Sequence, residues 1–271
     1  MNRSFFIDML KYCLLAIALL VTNNCFAKQN IMRTIYLANK PAFDGDDELS
    51  MIGEFGFLLT NGNTNTSTIT GKINTSQELP SWSYQVIADA LYKESEVQEA
   101  GLKTNTATAQ KVFISSQVDY KLPQPDDRLF VYSEYENNRF SGFRYQAAIA
   151  AGWTSRLWHD QFSEFKYSVG PGYSMAEVED NSEEEDQKGL IIRAAMEYKR
   201  KFSKHATFRQ FVSTEADQEF SKTKSETSLS TKISGALAMK LSFILNYDTS
   251  VVEESEDLNT EAAVTLVYQF F

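Results

Sequence analysis

The sequence predicts an all-β fold, an antiparallel up-and-down transmembrane β-barrel of about twelve strands. Three observations predict it: long segments that alternate apolar and polar side chains, short and long connections that alternate between them, and an export signal ahead of the first segment. Alternation with period two is the mark of a strand with unlike faces. Strands of water-soluble sheets average about 5 to 6 residues, whereas a tilted strand needs roughly 9 to 11 to cross a bilayer. The segments here have the longer measure.

Residues 1–27 read as a secretory signal peptide. Arg3 and Lys11 precede the apolar run Leu14 to Val21, and Cys25-Phe26-Ala27 places small residues at the minus-three and minus-one positions. The run is too short for a membrane-spanning helix, which wants roughly 20 apolar residues. Thr22 ahead of Cys25 argues against a lipoprotein signal. Cleavage after Ala27 would remove Cys13 and Cys25, so the exported chain has no thiol and folds without a disulfide. It would also remove Arg3, Lys11 and Asp8, leaving 24 basic against 35 acidic residues and a net charge of −11 in place of −10. That balance disfavours nucleic acid as a partner. Solubility accounts for the acidity, and contact with divalent cations at an anionic cell surface is the sharper reading. Residues 28–50 lack period-two order, carry Asp44, Asp46, Asp47 and Glu48, and are read as a periplasmic lead-in. Residues 51–271 show no internal composition break and are read as one domain.

The predicted strands are 51–60, 64–77, 82–93, 106–121, 128–138, 143–156, 162–177, 188–201, 206–218, 225–238, 239–252 and 259–271. In the third, Trp82, Tyr84, Val86, Ala88, Ala90 and Tyr92 share one face, and Ser83, Gln85, Asp89 and Lys93 the other. Phe165, Tyr167, Val169, Pro171, Tyr173 and Met175 repeat the pattern, as do Leu190, Ile192, Ala194, Met196 and Tyr198. Met239, Leu241, Phe243, Leu245 and Tyr247 alternate most cleanly, against Lys240, Ser242, Asn246 and Asp248. Aromatic residues sit toward the ends of these faces, as in the interfacial girdles of membrane barrels.

Connections after even-numbered strands are short or proline-marked: Glu78 to Ser81, Pro123 to Asp127, Leu157 to Gln161, Ser203 to His205, and the region of Ala238-Met239. Those after odd-numbered strands are longer and polar: Glu94 to Asn105, Asn138 to Gly142, Val178 to Gln187, Glu219 to Lys224 and Glu253 to Leu258. Asn61-Gly62-Asn63 is the one tight turn among them. Short periplasmic turns and longer external loops are what such barrels have, and an even strand count brings both ends to one side.

The last strand puts Val264, Leu266, Tyr268 and Phe270 on one face and ends on Phe271. An aromatic terminus resembles the signal read by the barrel assembly machinery, here shifted by one residue. Gly62-Asn63-Thr64, Asp127-Arg128-Leu129-Phe130 leading to Asn138-Arg139-Phe140-Ser141-Gly142, and Val169-Gly170-Pro171-Gly172-Tyr173 together resemble the DUF481 family. The resemblance spans about residues 50–271 and implies a salt-induced outer-membrane barrel without an established activity. Its partners would be outer-membrane lipid, lipopolysaccharide and, through Phe271, the assembly machinery.

Side chains predicted to face the lumen include Lys72, Lys111, Arg144, Lys166, Arg193, Lys232 and Lys240, opposed by Glu54, Asp89, Asp119, Glu134, Glu136, Glu197 and Asp248. Such a balanced interior is either a wet, weakly selective pore or a set of cross-lumen pairs that closes it. Closure is the preferred reading. A lipid-hydrolysing enzyme would need Ser, His and Asn near the outer interface, but the only histidines, His159 and His205, fall in short connections. No catalytic, cofactor-binding or metal-binding residue is assigned. The acidic run Glu177, Glu179, Asp180, Glu183, Glu184, Glu185 and Asp186 suits hard cations in ligand type, yet it lacks the spacing of a calcium loop and reads as a solvated external loop. Gly170-Pro171-Gly172 reads as a strand kink.

A closed barrel keeps its hydrogen-bond ladder in cold dodecyl sulfate. Unboiled protein is therefore expected to migrate differently from boiled protein on a gel; coincident bands would count against the barrel.

Overall fold

A chain entering hydrocarbon must satisfy each backbone N–H and C=O from within itself, and extended strands achieve that only by closing into a ring. The computed structural model, which describes residues 49–60, 66–99, 102–139, 141–178, 186–217, 220–249 and 257–270, contains that ring. The strands are β1 (Leu49–Thr60), β2 (Thr66–Glu78), β3 (Trp82–Glu99), β4 (Leu102–Lys121), β5 (Asp127–Asn138) and β6 (Phe143–His159). They continue as β7 (Ser163–Val178), β8 (Gln187–Lys201), β9 (Ala206–Ala216), β10 (Ser221–Ser234), β11 (Leu237–Asp248) and β12 (Leu258–Gln269). Each pairs antiparallel with the next, and β1 closes on β12 from Ile52↔Gln269 to Phe55↔Leu266. The signal peptide, residues 28–48 of the lead-in, Asn61-Gly62-Asn63 and Phe271 lie outside the described residues.

Burial is inverted relative to a soluble protein. Leu190, Ile192, Val264 and Leu241 are 79%, 62%, 60% and 55% exposed, while Asp119, Arg128, Lys199 and Glu197 are 0–3% exposed. Apolar side chains point out and charged ones in, which excludes a sandwich with packed greasy faces. Aromatic pairs mark the end with short turns: Trp82–Tyr120 and Trp158–Phe165 at 4.7 Å, Phe202–Phe208 at 6.0 Å and Tyr268–Phe270 at 5.1 Å between ring centroids. Tyr135 stacks on Tyr145 at 5.7 Å toward the opposite end. These are the two girdles.

Three segments depart from the expected boundaries. Leu49 and Ser50 belong to β1 rather than to the lead-in. β3 and β4 run on to Glu99 and Leu102, so most of the connection expected over Glu94 to Asn105 is a hairpin standing above the barrel. β10 starts at Ser221 and turns at Gly235-Ala236, not near Ala238-Met239. Gly235 has φ +43°, a left-handed conformation that favours glycine. The turn preserves the apolar rhythm, with Ile233 and Met239 both exposed on the outer face, so the alternation itself carries no break to read. Ala238, expected in a turn, is a fully buried lumen residue.

The kink expected at Gly170-Pro171-Gly172 has a steric basis. A Cβ on Gly170 would run into the Ala151 carbonyl, and one on Gly152 into that of Val169, so β6 and β7 approach as only glycine allows. Pro171 brings no N–H to the ladder. At the β6–β7 turn, Asp160 Oδ1 accepts hydrogen bonds from the Phe162 and Ser163 amides at 2.6 and 2.8 Å. Those donors hold its carboxyl below the usual carboxylate range.

The outer face makes a depth-dependent prediction. Phe243→Arg, midway along β11, should destabilise the barrel by about 2–4 kcal/mol, and Leu258→Arg, at the loop end of β12, by about 0–1 kcal/mol. Denaturant unfolding in lipid vesicles measures both; equal costs would displace the membrane from this belt.

Candidate functional site in the barrel lumen

Alternation sends every second side chain inward, and at the short-turn end those side chains fill the barrel. Arg128 at the start of β5 reaches β2 and β3: its Nη2 donates to Glu78 Oε1 at 2.9 Å, and its Nη1 to Glu78 Oε2 at 3.3 Å and Ser83 Oγ at 2.6 Å. Lys121 Nζ lies 2.5 Å from Glu78 Oε1. Such a forked contact to a carboxylate suits the planar guanidinium.

Above this, a chain of ion pairs follows the wall across six strands. Glu54 on β1 meets Lys240 on β11 at 3.0 Å, and Lys240 meets Glu226 on β10 at 3.0 Å. Glu226 meets Arg209 on β9 at 3.3 Å, and Arg209 meets Glu197 on β8 at 2.6 Å. Glu197 also binds Lys166 on β7 at 2.9 Å and Lys199 at 3.2 Å. Placing so many charges away from water is tolerable because Glu197 and Glu226 each face more than one cation, and Lys240 and Arg209 each face two carboxylates.

Further up, contacts cross the lumen. Lys222 on β10 donates to Gln146 Oε1 on β6 at 3.1 Å and lies 3.5 Å from Glu134 on β5. Arg193 on β8 pairs with Glu215 and stacks 3.6 Å above the Tyr132 ring of β5. Tyr132 donates to Glu134 at 2.5 Å, and Lys111 pairs with Glu136 at 3.1 Å. Around these bridges lies a cavity of about 840 Å³. Its lining runs from Asn138, Asn246 and Asn259 at the long-loop end down to Glu197, Arg209 and Glu226. Beneath that floor, between Asn74, Lys199, Thr207 and Lys240, the space is about 20 Å³, of the order of one water.

Eight of the predicted lumen charges, Glu54, Lys111, Glu134, Glu136, Lys166, Arg193, Glu197 and Lys240, are in these pairs. Lys72 and Asp89 face each other in the β2–β3 register and line the cavity. Asp119 is buried at the base and accepts a hydrogen bond from Gln117 at 2.9 Å. Asp248 accepts from Gln146 at 3.5 Å. One placement is corrected: Arg144 is 46% exposed at the rim, paired with Glu177; Lys232 has the predicted inward face, opposite Ala238, at the short-turn end of β10 and away from the cavity. The sequence reading missed Glu78, Arg128, Lys199, Arg209, Glu215, Lys222, Lys224 and Glu226. Lys222 was hidden in a segment read as an external connection, and β9 gave little warning because Phe211 turns an aromatic ring into the lumen alongside Arg209. His159 ends β6 and His205 lies in the β8–β9 connection, both exposed at the short-turn end. Of the acidic run, Asp186 accepts a hydrogen bond from the Val178 amide at 3.2 Å, while Glu179, Asp180, Glu183, Glu184 and Glu185 lie outside the described residues.

A closed ring of twelve antiparallel strands, greasy outside and charged inside, defines a transmembrane β-barrel. The chain belongs to the DUF481 family, described as proteins of unknown function, whose model matches residues 53–270. No curated protein matches it. Among solved structures it is similar to the translocator domain of the autotransporter NalP from Neisseria meningitidis, with 8% identity, 89% of this chain and 95% of that one covered, and a TM-score of 0.48. An outer membrane channel from Pseudomonas putida F1 gives 9% identity, 83% and 98% coverage and a TM-score of 0.46, and the NanC porin 9%, 82% and 98%, and 0.47.

Arg209→Met would leave Glu197 and Glu226 short of a cation and should destabilise the barrel by roughly 3–5 kcal/mol. Adding Glu226→Gln should restore part of that loss. Unfolding in vesicles measures both, and an unchanged midpoint for the single variant would remove Arg209 from the network.

Proposed function

We propose that this protein is an outer-membrane barrel whose lumen is a cup, open to the outside and closed toward the periplasm, and that it does not act as a standing pore. The observation behind this reading is the ion-pair chain from Glu54 to Lys166, with the cavity ending on it. An interior of about 8 strands is filled by side chains, and one of about 16 is a channel. Twelve strands leave room for both, and long charged side chains take up the periplasmic half. A role in the envelope under salt or osmotic stress follows from the family resemblance, and a barrel made under such stress suits a floor that prevents leakage.

A second reading, a narrow and weakly selective channel, draws on the material of the floor: it consists of Lys, Arg and Glu side chains rather than a folded plug, and such side chains can rearrange. An outer-membrane lipid-modifying enzyme has less support, because both histidines sit far from the outer interface.

Planar bilayers separate the first two readings. Native protein should give no discrete conductance steps, whereas Arg209→Ser combined with Glu226→Ser, which thins the floor without changing its net charge, should give them and so report insertion. Steps from the native protein would overturn the closed cup in favour of the channel.

A further inference from the structure

Most of the cations that line the cavity have a carboxylate at hand, and among the described residues Lys72, Lys93 and Lys224 do not. Lys111, Lys166, Arg193, Arg209 and Lys222 all have ion-pair partners. Lys72 on β2 and Lys224 on β10 have none within 4.0 Å among the described residues. Lys224 instead reaches across the lumen and holds its ammonium 5.2 Å from the centre of the Phe113 ring on β4. Lys111 and Lys72 repel it, and Glu226 and Asp89 attract it.

The nearest acids are largely held by other cations: Glu54, the cross-strand neighbour of Lys72 on β1, is taken by Lys240. Glu136 is taken by Lys111, and Glu226 is shared by Lys240 and Arg209. Asp89, opposite Lys72 on one side and Phe113 on the other, is the remaining carboxylate in that row. In that row two ammonium groups face one uncommitted carboxylate, and Glu261 on β12 is another that lines the cavity. The wall beside them is apolar: Ile87 and Leu91 flank Asp89 along β3, and Phe113 lies next to it on β4, all lining the cavity. Apolar side chains turned into a largely polar lumen stay poorly covered unless a ligand covers them.

We propose that the cup binds a small organic anion, with a carboxylate, sulfonate or phosphate head between Lys72 and Lys224 and a flat apolar body against Phe113, Ile87 and Leu91. This inference rests on the reading of the lumen as an outward-open cup. The cavity of about 840 Å³ falls within the ordinary range of small-molecule sites. Lys224 can exchange its contact with the Phe113 ring for a charge-assisted hydrogen bond, which is the stronger of the two. Asp89 competes with the ligand head for Lys72.

The test is isothermal titration of the full-length exported protein in maltoside micelles with naphthoate, and with naphthalenemethanol and naphthylmethylamine as its neutral and cationic counterparts. Micelles without protein supply the baseline. Naphthoate should saturate and bind more tightly than either counterpart. Lys72→Met with Lys224→Met should weaken it by more than about tenfold, the scale of a charge-assisted hydrogen bond. Asp89→Asn should tighten it by roughly threefold to fivefold, the scale of one partly exposed charge pair. A gain of affinity cannot come from misfolding, so this second variant protects the test against a damaged barrel. Absence of saturation, equal binding of the amine, or an unchanged affinity in both variants would overturn the site. Conductance plays no part in these readouts: a silent bilayer with no naphthoate binding rejects the site and keeps the closed floor, whereas a conducting native barrel rejects the floor and leaves the titration to judge the site.

Discussion

The rest of this structure depends on one constraint, the satisfaction of backbone hydrogen bonds where no water is present. An open sheet in hydrocarbon would leave two rows of unpaired amides and carbonyls, each costing several kcal/mol. Closing β1 on β12 removes both rows, although the register between them spans only four residue pairs, Ile52↔Gln269 to Phe55↔Leu266. Once the ring is closed, every strand has an inside and an outside, and the two-residue repeat decides which side chains see lipid. The inverted burial of Leu190 and Arg128 follows from that closure and from nothing else in the chain.

Closure creates a second problem, because a twelve-strand ring encloses more space than apolar packing can be asked to fill while the inner face must also remain polar enough to fold through water. Long charged side chains solve both parts. A lysine or arginine carries its charge several ångströms from the wall, so Arg128 can cross from β5 to Glu78 on β2 and Lys222 from β10 to Gln146 on β6. Paired in this way they occupy volume and cancel charge together. The short-turn half of the lumen is closed by such pairs. In the long-loop half they thin out into bridges, and Lys72 and Lys224 stand without carboxylate partners within ion-pair distance among the described residues.

The sequence was most readable where one strand could be judged alone. Met239, Leu241 and Phe243 lie on the lipid face as their spacing requires, and Trp82 and Tyr120 meet at the girdle where the ends of their strands placed them. It was least readable at turns that keep the rhythm. Gly235-Ala236 reverses the chain without disturbing the alternation on either side, so the apolar pattern placed the turn too late. On β9 the inward face mixes Phe211 with Arg209, and at the start of β10 Lys222 and Lys224 alternate with Ser221, Thr223 and Ser225 rather than with apolar residues, which blurs the contrast between faces.

The sequence by itself determined that the chain is a barrel, about how many strands it has, and which face of most strands meets lipid, because those properties depend on residues two apart. Only the tertiary structure decided which charges meet. Lys240 and Glu54 are 186 residues apart, and Lys222 and Gln146 are 76 apart. They become neighbours through ring closure and strand tilt, which no local pattern encodes. The same geometry sets where the floor lies and leaves Lys72, Asp89, Phe113 and Lys224 around one cavity, because the position of an inward side chain depends on the register of the whole ring.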